Sequence, residues 1–285
     1  MTTANARHRE FGFTDADFDS LRKLARELAG ISLSDSKREL VYGRVSRRLR
    51  ELGLTSFAEY RALLAGAQGA NEVGEFINAV TTNLTAFFRE KHHFEYLREH
   101  FLVPRAAEAA GSRRIRIWCA AASTGEEAYS IAITVAEAIP DWQRWDIRIL
   151  ATDLDTNVLR HAAAGLYTED RVRDMSRALV TKHFTRCGEG DAARLKVRPE
   201  LAKMISFRQL NLIQPLPMKG PLDVIFCRNV IIYFDKDTQR DLFSRLAPLQ
   251  RPGDVLFLGH SETLFKVSED WKLVGKTVYR RGGAA

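Results

Sequence analysis

Apolar residues recur every three or four positions early in the chain and gather in short unbroken runs later, so the sequence changes period partway along. Phe18, Leu21, Leu24 and Leu28 share one side of a helix that Thr14 and Asp17 open as a capping pair and Gly30 closes. Val41, Val45, Leu49 and Leu52 form a second stripe, opened by Ser36 with Glu39 and stopped at Gly53. Ser56 with Glu59 starts a third, shorter helix, and a fourth covers about Glu72 to Val80. Residues 1–90 therefore read as a helical N-terminal domain, and 91–110 as a connecting helix.

Beyond that point IRIW, IRILATD, LDVIFCRN and DVLFLG alternate with helical stretches such as EEAYSIAITVAEAI and TQRDLFSRLAPL. Strand–helix alternation of this kind predicts a doubly wound parallel sheet covered by helices on both faces, over residues 91–285. ARLKVRPEL and KMISFRQL read as extra strands, with a turn from Arg186 through Asp191 ahead of them. Together they predict a small antiparallel insertion at about 183–206.

The net charge of +7 makes an anionic partner plausible without choosing among nucleic acid, membrane surface and acidic protein. Cys119, Cys187 and Cys227 show no metal-ligand spacing, and two of them sit in apolar runs, as buried free thiols in a reducing compartment do. The opening MTTANARHRE lacks the apolar stretch of a signal peptide, and no run approaches a membrane span. A cytoplasmic protein without membrane insertion is expected.

Four segments carry candidate chemistry. In IRIWCAAASTGEEAYSI, small residues lead from a strand into a helix, where a ligand can approach the backbone at the end of an open sheet. Glu126 and Glu127 at that helix start disfavour a pyrophosphate and suit a cation; an acidic cap on a tight turn is the alternative. Asp153 ends the next apolar strand, where nucleotide-binding folds place an acid on ribose hydroxyls, whereas Asp155 or Thr156 is better placed to cap the next helix. Arg228 and Asn229 follow the strand LDVIFC, with Tyr233 one turn on. The Pro-Pro turn of many nucleic-acid amino-methylating enzymes is absent there. Finally, Asn83, Thr85 and Arg89 punctuate the apolar TTNLTAFFRE; Arg89 reads either as a carboxylate clamp or as a snorkelling surface residue.

NLTAFFRE, AAASTGEEAYS, ATDLD, the pair Asn211-Leu212 and FCRNVIIYFD, in this order, resemble the chemotaxis receptor methyltransferase family (CheR), and the likeness runs to the final VYRR. The resemblance implies a class I S-adenosylmethionine-dependent methyltransferase sheet with its β insertion, preceded by an all-α receptor-docking domain. It implies O-methylation of glutamate side chains on the cytoplasmic helical domain of chemoreceptors, with S-adenosylmethionine as cofactor, S-adenosylhomocysteine as product and no metal. By resemblance Glu126 would bind the methionine ammonium, Asp153 the ribose, and Asn211 and Leu212 would flank the adenine. Arg228 and Asn229 would complete the pocket. Asn83, Thr85 and Arg89 would close it, with Arg89 and Tyr233 facing the reacting centre.

A glutamate carboxylate, with a pKa of about 4.3, is already ionised at neutral pH, so no general base is needed. That agrees with the lack of an evident His–carboxylate pair in these motifs; His260 reads as a structural residue at a strand end. On the second helix Arg44 and Arg47 point away from the apolar stripe and Arg48 lies at its border, so all three are candidates for docking an acidic receptor bundle. A solvated helix face is the alternative. Nucleic-acid methylation and a cofactor-binding module without turnover remain open as other functions. Some relatives capture a receptor tail peptide on the β insertion. Here Asp191, Ala192 and Ala193 follow Gly188 and Gly190 where a more glycine-rich turn would be needed, so no useful tail affinity is expected.

Overall fold

The computed structural model describes residues 9–108 and 112–283, and the chain divides into two compact units, 1–82 and 83–285. In the first unit, α1 (Asp15–Ala29), α2 (Arg38–Leu52), α3 (Phe57–Ala65) and α4 (Ala70–Val80) pack around Phe18, Leu21, Val41, Val45, Leu49, Tyr60 and Phe76. Thr14 and Asp17 close the capping box of α1, and Gly30 ends it in the left-handed conformation, as the pattern predicts. Ala25 and Ala29, rather than Leu24 and Leu28, supply the fully buried positions of its later turns. Ser56 caps α3 through the Glu59 amide. The box expected at Ser36 and Glu39 does not form: a short 3₁₀ turn, Asp35–Lys37, leads into α2, and Glu39 pairs with Arg9 instead. Leu52 lies off the buried stripe, 38% exposed.

The second unit opens with α5 (His92–Tyr96), which runs through a wider π-type stretch, Leu97–Leu102, into α6 (Val103–Ala107). Residues 109 and 110, the expected end of this connecting helix, lie outside the described residues, as do residues 1–8 of the opening segment. Then follow β1 (Arg114–Cys119), α7 (Glu126–Ala138), β2 (Asp146–Asp153), α8 (Thr156–Ala164), β3 (Leu166–Tyr167), α9 (Arg177–His183), β4 (Phe184–Cys187), β5 (Arg194–Val197), α10 (Pro199–Ala202) and β6 (Ile205–Gln209). The chain continues through β7 (Val224–Cys227), α11 (Lys236–Leu246), β8 (Val255–Leu258), β9 (Trp271–Gly275) and β10 (Val278–Arg281).

Among the described residues seven strands form one sheet in the order β6-β2-β1-β7-β8-β10-β9. β6, β2, β1, β7 and β8 run parallel, and β10 is antiparallel to both its neighbours. β7 and β8 are buried along their whole length, which explains why VIFC and VLFL read as continuous apolar runs. A second sheet, β3-β5-β4, is antiparallel and small.

Two expectations change here. KMISFRQL belongs to the main sheet: β6 pairs parallel with β2 over Ile149–Asp153, because its half-buried Ile205 and Phe207 pack against the main core. Arg186 and Cys187, expected in a turn, are the last residues of β4, paired with Leu195 and Arg194. The insertion is therefore built from Leu166–Tyr167, Phe184–Cys187 and Arg194–Val197. Among the described residues no helix is long and apolar enough to cross a membrane.

Candidate active site

The C-terminal ends of β1, β2 and β7 bring the motifs of the second unit together, where open parallel sheets bind ligands. After β1, the Ala122 amide donates to the Thr152 carbonyl at 2.8 Å and the Ser123 amide to Asp153 Oδ2 at 2.8 Å, so the small-residue turn is pinned to the end of β2. Gly125 has φ +97°, and an added Cβ would come within 2.8 Å of both Ala162 Cβ and the Tyr167 hydroxyl. A glycine there is required by packing within the protein.

Asp153 is 9% exposed, and its other oxygen accepts from the Asp155 amide at 3.0 Å. Burial pushes its carboxyl above the usual range, against the pull of the Asp155 and Ser123 amides. Capping of α8 falls to Asp155, which accepts from the amides of Asn157 and Val158 and, on its other oxygen, from the Asn83 side chain at 2.8 Å. Asp153 is thus not used as the helix cap. The Leu210 amide bonds the Asp153 carbonyl, which sets Asn211 and Leu212 just beyond the same strand end. Asn211 accepts from the Ile213 amide at 3.2 Å, and Leu212 is buried in the cluster with Trp118 and Ala120.

Glu126 is wholly buried, with the Thr124 hydroxyl at 2.6 Å on one oxygen and the Arg171 guanidinium on the other. Glu127 receives Arg228 at 2.5 Å and the Cys119 thiol at 3.3 Å. Burial pushes the Glu127 carboxyl up while the Arg228 charge pulls it down, leaving it above the usual range. The buried thiols of Cys119 and Cys227 are pushed far up and stay protonated.

NLTAFFRE forms an irregular loop fastened at several points. Phe87 is buried edge-on to Tyr167 and Phe184, a burial that stabilises by roughly 2–3 kcal/mol. The Phe88 amide donates to Ser130 Oγ at 2.9 Å, and the Asn83 carbonyl accepts from Ser123 Oγ at 3.0 Å. Thr85 is half-buried in the same loop. Arg89 is half-buried, with its guanidinium donating to the Leu84 carbonyl at 2.8 Å. Its own carbonyl accepts from Arg228 at 2.6 Å. Phe88, Glu90, Ser123 and Asn229 all have positive φ. For an L-residue this costs about 1–2 kcal/mol, and it persists only where the surroundings hold it.

Glu90, at the end of the loop, pairs with Arg228 at 3.1 Å and with His260 Nδ1 at 2.8 Å. Burial opposes its ionisation, but the His260 hydrogen bond and the Arg228 charge outweigh that and hold it at about 2. His260, from the loop after β8 and outside the sequence motifs, reaches Glu90, a pairing that the motifs by themselves do not contain. Burial, with the Arg228 and His92 charges, pushes His93 down to about 3, so its imidazole is neutral. Ligand atoms of Glu90, His92 and His93 lie within 4.8 Å of one another. The Arg228 guanidinium shares the same Glu90 carboxylate, and its charge opposes a dication there.

Asn229 sits directly after Arg228, and Tyr233 is half-buried at the end of a 3₁₀ turn, Ile231–Tyr233, packed against the Leu212 cluster. Arg228, Asn229, Arg89, Asn83, Glu126 and Asp153 are therefore joined by direct contacts or by one intervening residue. Sequence reasoning missed Arg171 and Glu90 as partners in the site. Arg171 lies in the polar stretch TEDRVRD, which gives no signal of its long-range contact with Glu126.

In the first unit the basic face of α2 is largely used internally. Arg44 donates to the carbonyls of Ala79 and Thr81, tying α2 to the end of α4. Arg48 makes a two-pronged pair with buried Glu72, at 3.0 and 2.6 Å, and a further one with Glu51. Its guanidinium is thereby engaged within the helical unit. Arg47 is exposed, and it pairs with no acidic side chain among the described residues.

The donor set fits a ligand with ribose hydroxyls and a cationic end. Burial penalises ionised Asp153, and a nearby sulfonium or ammonium would offset that penalty. Glu126 is covered by the Arg171 guanidinium, whose side chain is 37% exposed. The sheet order, the acid closing β2 and the small-residue turn into α7 define a class I S-adenosylmethionine-dependent methyltransferase. Residues 83–280 match the CheR methyltransferase SAM binding domain and residues 16–81 the CheR methyltransferase all-alpha domain. The chain belongs to the CheR methyltransferase family. It is similar to chemotaxis protein methyltransferase 2 of Pseudomonas aeruginosa, at 46% identity over 95% of both chains. The chemotaxis protein methyltransferase of Salmonella typhimurium is 45% identical over 93% of this chain and 90% of its own. That of Escherichia coli is 43% identical over 93% and 91%.

Proposed function

We propose that this CheR-family enzyme transfers a methyl group from S-adenosylmethionine to glutamate side chains on the cytoplasmic helical domain of chemotaxis receptors, and that it acts in the cytoplasm. The observation that supports this reading best is buried Arg228, which fastens the Arg89 loop to the sheet end occupied by Glu127 and Asn229. The bound cofactor supplies a methyl group activated by its sulfonium. Arg89 pairs with the incoming carboxylate and aims it, and the Tyr233 hydroxyl donates a second hydrogen bond; neither is easily alkylated. Asp153 holds the ribose, Glu126 the ammonium, and Asn211 and Leu212 flank the adenine. Asn83, Thr85 and Asn229 complete the walls. The nucleophile is ionised at neutral pH, so the protein contributes positioning and exclusion of water. The Glu90–His260 pair then serves the charge network around Arg228.

Incubation with methyl-labelled cofactor and a receptor cytoplasmic fragment tests this reading. Label should enter the fragment and be released as volatile methanol in mild alkali, as a carboxyl ester is. Base-stable label, or label taken up by RNA and not by receptor, would overturn it.

A further inference from the structure

Glu262 has no role in the binding and transfer steps described so far, yet it is only 4% exposed. One carboxylate oxygen accepts from the amides of Val230, Ile231 and Ile232, at 2.9, 3.0 and 3.3 Å. The other accepts from Asn229 and Gly259, at 2.8 and 2.6 Å. The amides of residues 229–232 lead into and open the 3₁₀ turn that ends at Tyr233, so the carboxylate seats where helix-type N–H groups converge. Asn229 sits at φ +56°, in the left-handed region that asparagine adopts more readily than most L-residues. The packing leaves no slack: a Cβ at residue 259 would lie 2.9 Å from Glu262 Oε2 and closer still to the Asn229 side chain.

We propose that Glu262 is a positioning residue for methyl transfer: its carboxylate fixes the turn from Asn229 to Tyr233, and through it the placement of both side chains toward the cofactor and the incoming glutamate. The inference rests on the reading above, in which those two residues face the reacting groups. A carboxylate suits this task because charge-assisted hydrogen bonds are about twice as strong as neutral ones. A glutamine would turn its own N–H donors toward backbone donors.

The test is Glu262→Gln in the full chain, with turnover, Michaelis constants, melting temperature and the amide NMR signals of residues 229–232 all measured. Turnover should fall about 30-fold or more while the receptor Michaelis constant changes less than about threefold, as when a reacting group is misplaced rather than lost. The four amide signals should move, the melting temperature should hold within a few degrees, and Glu262→Asp, which keeps the charge, should recover part of the turnover. Unchanged turnover, or a parallel collapse of turnover, substrate affinity and melting temperature, overturns the assignment. If Glu262→Gln does not fold, Glu262→Asp stands in for it: the charge is kept but the shorter side chain cannot reach all five amides, so turnover should fall selectively, and full activity there overturns the assignment. A wild type that transfers no methyl group to receptor overturns the parent reading, whereas an active wild type with an equally active variant overturns only the role of Glu262.

Discussion

The carbonyl of Arg89 accepts a 2.6 Å hydrogen bond from Arg228, 139 positions later in the chain. Arg228 has no exposed side-chain surface and also pairs with Glu90 and Glu127, so the loop bearing Arg89 is anchored by a buried cation. The Arg89 side chain itself is half-buried, and in the proposed reading it meets the incoming carboxylate.

Arg89→Ala should lower turnover about 100-fold or more, and Tyr233→Phe by less, because the ring still excludes water. The wild-type rate should stay nearly flat from about pH 6 to 9, since a carboxylate nucleophile with pKa near 4.3 is ionised throughout. Steady-state kinetics across that range check both expectations. A steep rise with pH would instead give His260, paired with Glu90, the role of a general base.

Asp153→Ala should weaken S-adenosylmethionine binding by roughly 1–3 kcal/mol, from the loss of a charged acceptor for the ribose hydroxyls. Because Asp153 also accepts from the Ser123 amide, Asp153→Asn should be measured beside it by calorimetry. Equal affinity of wild type and both folded variants would take the ribose role away from this residue.

Arg47→Glu should raise the Michaelis constant for receptor and leave cofactor affinity alone, and added salt should weaken the wild-type reaction on receptor. Arg48→Ala should act differently. It leaves Glu72, 7% exposed, without its cation and should destabilise the protein by roughly 3 kcal/mol in a denaturant titration. A stable Arg48→Ala protein with poor receptor affinity would return Arg48 to the docking face.

Asp254 gives stability a pH dependence. Burial, with Asp223 adding its repulsion and the Arg251 amide opposing, raises its pKa to about 6. The fold therefore favours the protonated form. That contribution is fully present below the unfolded value, about 3.9, and is lost as pH rises through about 6. Asp254→Asn keeps an acceptor for the Arg251 amide and removes the charge. Melting curves should show wild type losing stability relative to this variant between about pH 4 and 7.

A receptor tail peptide should show no useful affinity for the small sheet. The turn joining its strands β4 and β5 has glycine at 188 and 190, both with positive φ, and then Cβ-bearing residues. The Asp191 side chain lies outside the described residues, so the expectation rests on the two alanines that follow it. Fluorescence anisotropy with labelled tail peptides decides the matter, and micromolar binding at this sheet would refute it.

Local physics made much of this protein legible from its sequence. The Thr14–Asp17 capping box, the Gly30 and Gly53 stops and the Val41/Val45/Leu49 stripe depend on neighbours within a few turns, and each formed as the pattern predicts. The acid at the end of β2 and the small-residue turn after β1 were readable for the same reason: strand ends and turns are encoded nearby. Partner choice was not. Glu39 left its expected cap for Arg9, Arg48 turned to Glu72, Arg171 closed over Glu126, and Glu90 gathered Arg228 and His260 from distant segments. KMISFRQL joined the main sheet because an edge beside β2 was open to it. A charged side chain's partner, like a strand's place in a sheet, is set by which buried surfaces the completed fold brings within a few ångströms, and no stretch of sequence carries that distance.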